Sequence, residues 1–339
     1  MLFGLWGENV NGPLHALHLL WGVGATIGPF VVRPFLGEDR NQTDIGSENY
    51  TCIDTSEIQY PFIIGSCIMY SLGAVALGFY FMGPPAGMRL HARPIKSIKQ
   101  VFDVSTIGGG DMRFGITMLV LFAFFYFGNA GREHVFSTWL FTYAVESDLG
   151  FDKQEAALLD AANKGSFMLG RLISTPLTHF LPIQPILFVE VYTVMVIVTG
   201  LATLGTKEKV YLWIFSCLMN AVSAPIWPGG LTWTDKYIPV TAIVLTVMTL
   251  GSASAGFFFQ WFTGYLFTYQ SPDDVMYVLV GCSALLCVLL VIMQIVASKK
   301  GNRYHREELK EKAELELPEQ SVGYDNFAMK HEKTEDTHL

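Results

Sequence analysis

"FGNAGREHVFSTWLFTYAV" (residues 127–145) places an Arg, a Glu and a His side by side within an apolar, aromatic run. The apolar run begins near residue 114 and is long enough to cross a bilayer as a helix. An ionisable group near the bilayer centre costs at least about 2.5 kcal/mol, so such a group is a functional candidate. The stretch therefore predicts a membrane helix that carries charge at depth.

The rest of the chain has the composition of a membrane protein. Of its 339 residues 51% are hydrophobic and only 15% are charged, whereas a soluble domain carries about 25% charged residues. Charges collect in a few short stretches and in the last forty residues, and long apolar runs lie between them. These runs predict an all-α integral membrane protein with about eight transmembrane helices. The predicted spans are residues 13–36, 58–83, 114–145, 154–180, 185–204, 210–233, 240–268 and 274–297.

The distribution of basic residues predicts the orientation. Residues 84–113 and the tail 298–339 are rich in Lys and Arg next to the spans, so both are predicted to be cytoplasmic. The segment 37–57 then lies outside, where it carries two Asn-x-Thr sequons, at Asn41 and Asn49. We therefore expect a glycoprotein of the plasma membrane. The tail is expected to be largely disordered.

Several function classes find no support in the sequence. The net charge of −8 argues against a nucleic-acid partner. The five cysteines show neither metal-ligand spacing nor a disulfide framework, so no metal site and no cofactor are predicted. A membrane enzyme would need a catalytic His or Asp pair at a membrane face, and no His has a carboxylate at suitable spacing. We therefore expect that the chain is not an enzyme.

Span 114–145 is longer than the hydrocarbon core, and Gly128 and Gly131 flank Asn129–Ala130. We expect a kink or break there, which would free backbone groups for a ligand or ion. An amide, a guanidinium and aromatic rings on one helix face suit the binding of a sugar. That face carries Asn129, Arg132, Phe136, Trp139 and Tyr143. In the other interpretation, Arg132 and Glu133 pair with other spans and only stabilise the packing between helices.

Span 154–180 carries further charge. Asp160 and Lys164 are four residues apart on a helix, so their charges can neutralise each other. Lys164 lies too deep in the span to reach water easily, which favours a position in a cavity. We expect Arg171 to reach toward the cytoplasmic helix end. Glu190, near the same end of the next span, is expected to be wetted.

Two later spans contain breaks or close approaches. Prolines and glycines in residues 223–233 interrupt one span, and the small residues 251–256 predict close helix packing in another. The predicted substrate cavity comprises Asn129, Arg132, Glu133, Trp139, Tyr143, Asn163, Lys164, Asn220, Trp227, Gln260 and Trp261.

Three stretches carry a resemblance to a known family. "LWGENVNGPLHALHLLWGVGATIGPFVVRPFL" (Leu5–Leu36), "GREHVFSTWLFTYAV" (Gly131–Val145) and "KGSFMLGRLISTPL" (Lys164–Leu177) resemble the fifth, seventh and eighth spans of one group of the major facilitator superfamily. That group contains the sodium-dependent glucose transporters and the domain-containing protein 4 transporters. The likeness runs in order from Leu5 to about Ser298.

The resemblance implies a twelve-span fold of two six-helix halves with alternating access to a central cavity. Residues 1–83 would form the last two spans of the first half, 84–113 the loop between halves, 114–297 the complete second half, and 298–339 the tail. The first four spans would be missing, so we expect an incomplete gene model or a short splice form that does not transport alone.

The resemblance also implies sodium-coupled symport of glucose or a related hexose. Glu133 matches the family's Glu and is the first candidate for coupling the ion. Two other interpretations remain open: a non-transporting membrane protein that binds or regulates a partner, and a transporter of another polar or anionic solute. The first interpretation would be favoured if Asp160 formed an ion pair with Lys164, and Arg132 formed one with Glu133.

Overall fold

A computed structural model describes residues 11–35, 57, 59–82, 107 and 111–316, and within these ranges every regular element is helical. The all-α prediction is therefore confirmed, and each of the eight predicted spans corresponds to a helix or a helix pair. The helices are α1 (Asn11–Val32), α2 (Gln59–Met82), α3 (Met112–Glu146), α4 (Lys153–Phe180), α5 (Ile183–Gly200), α6 (Lys209–Ser223), α7 (Ile226–Asp235), α8 (Ala242–Tyr269), α9 (Asp274–Ser298) and α10 (Arg303–Glu316).

Six helical segments of the described chain are long and apolar enough to span a membrane. They are α2, α3, α5 with the π-helical turn Leu201–Gly205 that follows it, the pair α6–α7, α8, and α9. Helix α4 is as long but more polar, because five charged side chains lie on it. The long apolar helices make this an integral membrane protein.

Helix α3 lies at the centre of the bundle. It packs against α8 and α9 along most of its length and also touches α4. Its side chains Phe122, Phe125 and Tyr126 are fully buried. The Asp111 carboxylate caps the first turn of α3 by accepting a hydrogen bond from the Phe114 backbone N–H at 3.1 Å.

Helix α1 joins this bundle through α4, whereas α2 stands almost fully exposed among the described residues. The contact between α1 and α4 uses small residues. A Cβ at Gly22 would lie 3.4 Å from Met168, and a Cβ at Gly165 would lie 3.6 Å from Thr26. Glycines here let the two helix backbones approach closely, as is common in membrane bundles.

The predicted break in α3 is wrong, because a single helix runs from Met112 to Glu146. The two glycines serve packing instead. A Cβ at Gly131 would lie 2.4 Å from the ring of Phe259 on α8, and one at Gly128 would lie 3.4 Å from Leu285 on α9. The predicted break in residues 223–233 is confirmed, since α6 ends at Ser223 and α7 begins at Ile226.

One end of the bundle, which we call the tail end, holds Asp111, Asp235 and Lys300. Lys300 forms an ion pair with Asp111 at 2.8 Å, and this hydrogen bond holds the pKa of Asp111 below its usual range. Arg303 at the start of α10 pairs with Asp235 at 3.2 Å. The first part of the tail is thus a helix tied to the end of α7.

Some predictions fall outside the described residues. The sequons at Asn41 and Asn49 and most of the loop 84–113 are among them, as are residues 317–339. Glycosylation and the assignment of residue ranges to two halves therefore stay predictions.

Gly170 sets the distance between α4 and α6. A Cβ there would lie 2.0 Å from the Ala221 carbonyl oxygen, which is backbone and cannot move aside. We expect Gly170→Ala to lower stability by about 1–3 kcal/mol, the usual cost of overpacking. The measurement is the midpoint of thermal unfolding in detergent. Gly281→Ala is the matched control, because nothing lies within 4 Å of the added methyl group. Equal midpoints for the two variants would contradict this packing.

Candidate functional site

Helix α3 buries an arginine that is only partly hydrogen-bonded. Arg132 and Asn129 are each 1% exposed, and Arg132 Nη2 donates to Asn129 Oδ1 at 2.9 Å. The Nε and Nη1 atoms of Arg132 have no hydrogen-bond partner among the described residues, nor does Asn129 Nδ2. A guanidinium has five N–H donors, so most of the donor capacity of Arg132 is unused.

Glu133 lies beside Arg132 in the chain but does not share its side of the helix, since consecutive residues are about 100° apart. It is half-buried and forms no ion pair with a described side chain. Arg132 and Glu133 therefore do not form an ion pair with each other. Four residues of the face predicted on α3 to suit a sugar, Asn129, Arg132, Phe136 and Tyr143, are buried.

One face of α4 presents a second buried arginine. Arg171 is 2% exposed, its guanidinium lies 4.9 Å from the Phe167 ring centroid, and its Nε and Nη1 atoms have no described partner. The expectation that Arg171 reaches water at the helix end is wrong. Two turns earlier Asn163 is fully buried, with both side-chain amide atoms unpartnered. Its backbone oxygen accepts from Asn220 Nδ2 at 3.2 Å.

Helix α5 adds a buried carboxylate. Glu190 is 9% exposed, and its Oε2 atom has no described hydrogen-bond partner. The expectation that Glu190 is wetted is wrong, because its carboxylate turns toward α7: a Cβ at Gly229 would lie 3.9 Å from Oε2. Buried ionisable side chains thus lie on three helices of the bundle, α3, α4 and α5.

Arg171 and Glu190 were missing from the predicted site, although the sequence held a signal for both. Glu190 is the only charged residue in the apolar helix Ile183–Gly200, and Arg171 is the last charge of α4. Distance to a span end, counted along the sequence, does not show which side of a helix faces the bundle.

Helix α3 contacts the start of α7, directly after the break between α6 and α7. Tyr126 donates its hydroxyl hydrogen to the Trp227 backbone oxygen at 2.6 Å, and the two rings pack edge to face with centroids 5.3 Å apart. These two contacts tie the first turn of α7, next to the break, to helix α3.

Other predicted site residues lie apart from this cluster. Trp139 Nε1 donates to Gln260 Oε1 at 2.9 Å, and Gln260 Nε2 donates to the His134 oxygen, so these groups tie α3 to α8. Tyr143 donates to Asp273 Oδ1 at 2.8 Å, which ties α3 to the start of α9. Trp261 is 65% exposed on the outside of α8 and is not brought to the cluster.

A cavity of about 350 Å³ lies where α1 meets α3 and α4. Lys164 and Asp160 form an ion pair in its wall, and Asp160 Oδ1 has no described partner. The rest of the wall is apolar. The lining residues are Ala25, Gly28, Pro29, Val32, Phe141, Ala157, Asp160 and Lys164. Across residues 11–35, 59–82 and 111–316 no group of three His, Cys, Asp or Glu side chains is placed to hold a metal ion.

Comparison with known proteins finds distant relatives of this chain. No family model matches the chain. Mouse sodium-dependent glucose transporter 1A is 20% identical over 309 residues, which cover 88% of this chain and 71% of the mouse protein. Its human counterpart, sodium-dependent glucose transporter 1, is also 20% identical, and this chain spans 60% of its length. Mouse major facilitator superfamily domain-containing protein 4A is 24% identical over 169 residues.

A solved structure has the same fold. The crystal structure of the major facilitator superfamily transporter FucP in its outward conformation matches with a TM-score of 0.58 and 14% identity. The match covers 84% of this chain and 69% of FucP. The chain therefore shares the fold of a major facilitator superfamily transporter. In sequence it is similar to the sodium-dependent glucose transporters and to protein 4A. These similarities agree with the expectation that the chain is not an enzyme.

Two buried asparagines of this bundle should respond in opposite ways to replacement. Asn163→Leu deletes two unpartnered buried polar atoms, each of which costs about 1–3 kcal/mol, so we expect a higher midpoint of thermal unfolding. Asn220→Leu removes a hydrogen bond and should lower the midpoint. A fall for both variants would show that Asn163 is hydrogen-bonded in the native protein.

Proposed function

We propose that the protein is a secondary active transporter for glucose or a related hexose, working by alternating access with sodium symport. The names of its relatives, sodium-dependent glucose transporters 1A and 1, support this substrate and this ion. We further propose the plasma membrane as its location, with loop 84–113 and the tail cytoplasmic. The basic residues next to the spans support that orientation.

The observation that carries the proposal is the set of buried, partly unpartnered charges in the second-half bundle. Arg132, Arg171 and Glu190 are at most 9% exposed and together leave five side-chain atoms without described partners. Well-packed hydrophobic residues would often stabilise such a core as well or better. In membrane helices, charges of this kind mark solute and ion paths.

The cavity between α1, α3 and α4 is a suitable place for the solute. Its volume of about 350 Å³ lies within the range of small-molecule sites, about 300–1,000 Å³. The Phe141 ring can stack on the C–H face of a sugar. Asp160 Oδ1 can accept a hydroxyl hydrogen, and the Lys164 ammonium can donate to a hydroxyl oxygen. Because α1 belongs to the first half in the proposed division, the cavity would lie between halves.

Glu133 is the proposed sodium ligand. Its carboxylate is half-buried and lacks an ion-pair partner among the described side chains, so it is both reachable and available. Hard cations such as sodium prefer oxygen ligands.

A second candidate function is that of a membrane protein that binds a partner and does not transport. The closed Asp160–Lys164 pair favours it, because this pair needs no solute. Arg132, which bonds Asn129 and not Glu133, does not follow that pattern. An anionic solute is a variant of the transport proposal, since Arg132 and Lys164 would suit its charge.

The ion role of Glu133 predicts a strong effect of neutralising it. In a version of the protein that carries both six-helix halves, Glu133→Gln should lower sodium-dependent uptake of labelled glucose at least about tenfold, because the ligand charge is lost. Glu146→Gln, on the exposed end of the same helix, is the control and should leave uptake unchanged. Unaltered uptake and sodium dependence in Glu133→Gln would remove Glu133 from the mechanism.

The solute role of the cavity predicts that filling it blocks binding. Gly28 lines the cavity and has open space around it, so Gly28→Phe should abolish glucose binding to the purified chain without disturbing the fold. Gly24→Phe is the matched control, one turn earlier on α1, equally open and outside the cavity. The measurement is equilibrium binding of labelled glucose. Glucose binding that survives Gly28→Phe would place the solute elsewhere, and no binding by the unmodified chain would favour the partner-binding function.

A further inference from the structure

A second cavity, of about 410 Å³, lies between α8 and α9. Both helices pack along α3, and they touch each other much less, so a groove remains between them. We call this cavity the α8–α9 groove. It shares no lining residue with the cavity between α1, α3 and α4.

Most of the α8–α9 groove is apolar. The Phe259 and Phe262 rings and Leu266 line it from α8, and Leu285 lines it from α9. Gly281 lies in its wall, and nothing lies within 4 Å of a Cβ added there, so the groove has free space at its middle. This part of the groove suits a hydrocarbon chain.

The length of the groove matches one leaflet of a bilayer. Asp274 and Leu285 line it eleven residues apart on α9, a distance of about 16 Å along a helix. The hydrocarbon core is about 30 Å thick, so the groove extends over about half of it. An acyl chain from one leaflet can therefore lie along the groove.

Exposed tyrosines mark the membrane level of the polar end of the groove. Tyr265 and Tyr269 on α8 are exposed, with ring centroids 5.0 Å apart. Tyr277 on α9 lines the groove and is exposed as well. Because Tyr is enriched where a membrane meets water, this end of the groove lies among lipid headgroups.

The polar end of the groove carries an unpaired acid. The Asp274 carboxylate forms no ion pair with any side chain of the described residues. Residues 259–285 contain two Asp and no Lys, Arg or His, and the other acid, Asp273, accepts a hydrogen bond from Tyr143. The charge at this end therefore favours a cationic group over an anionic one.

We propose that the α8–α9 groove binds a molecule of phosphatidylcholine. The choline ammonium lies against the Asp274 carboxylate and the Tyr277 ring, since aromatic faces and negative charge attract quaternary ammonium groups. The Gln270 amide, which also lines this end, donates to the lipid phosphate. One acyl chain lies between the apolar side chains of α8 and α9. The inference does not depend on which solute the protein carries.

Other phospholipid headgroups fit the polar end less well. Phosphatidylglycerol would place a net negative charge beside Asp274. The ethanolamine ammonium carries three N–H donors, as a lysine does, and the polar side chains that line the groove offer few acceptors for them. The choline ammonium has no N–H group to satisfy.

The test is photo-crosslinking of the purified 339-residue chain in detergent with a phosphatidylcholine that carries a diazirine in one acyl chain. Peptide mapping should find the label mainly on residues 259–285. Unlabelled phosphatidylcholine should displace the probe, whereas phosphatidylglycerol and phosphatidylethanolamine with the same acyl chains should not. Helix α2 is the internal reference, because it is apolar and exposed along its length but does not line the groove.

Two variants test the two ends of the groove. Gly281→Phe fills its middle and should lower labelling at least about fivefold. Gly73→Phe, at an equally open position on α2, is the control. Asp274→Lys should lower phosphatidylcholine labelling at least about fivefold, because like charges then meet. A phosphatidylglycerol probe should label that variant more strongly than it labels the unmodified chain.

Controls for charge and folding accompany Asp274→Lys. Glu208→Lys, which changes an exposed acid just before α6, should leave labelling of residues 259–285 unchanged. If size-exclusion profiles show that Asp274→Lys does not fold, Asp274→Asn removes the charge at nearly constant size and should still weaken labelling by phosphatidylcholine.

Three results would contradict the proposal. Equal labelling of α2 and of residues 259–285 would show ordinary contact with lipid and no site. Displacement by phosphatidylethanolamine or phosphatidylglycerol as effective as that by phosphatidylcholine would overturn the choice of headgroup. Labelling that is the same in the Asp274 variants and the unmodified chain would remove Asp274 from the site.

Discussion

The structure depends on keeping ionisable side chains inside an apolar helical bundle. Arg132 and Arg171 are almost completely buried, and Glu190 is nearly so. Such groups are costly in contact with lipid, so membrane helices turn them toward the bundle interior. The faces that α3, α4 and α5 present to the bundle follow from that requirement.

Close packing at glycines holds those helices in place. Gly131 admits the Phe259 ring, and Gly170 admits the Ala221 carbonyl, so α3 and α4 approach α8 and α6 closely. The break between α6 and α7 lies beside Glu190, and Tyr126 bonds the first turn of α7. The bundle is thus packed tightly along α3 and interrupted where α6 meets α7.

The sequence predicted the helices well, because apolar runs of membrane length are long and strongly marked; the eight predicted spans match the observed helices within a few residues. It also predicted the break near Pro225, because prolines and glycines interrupt helices. The sequence did not predict which side chains of a helix face the bundle and which face outward. Arg171 and Glu190 lie near span ends by count but face inward, and Trp261 faces outward beside the bonded Gln260. The glycines of α3 were misread because a glycine marks either flexibility or close approach, and only the neighbouring helix shows which.

The central claim is that the buried charges serve an ion-driven solute path. The most direct measurement is the accumulation of labelled glucose in liposomes that contain a version of the protein with both six-helix halves, with and without an inward sodium gradient. Glucose should accumulate inside the liposomes above its external concentration only while the sodium gradient lasts. Folded protein that takes up no glucose, or takes it up equally without the gradient, would contradict it.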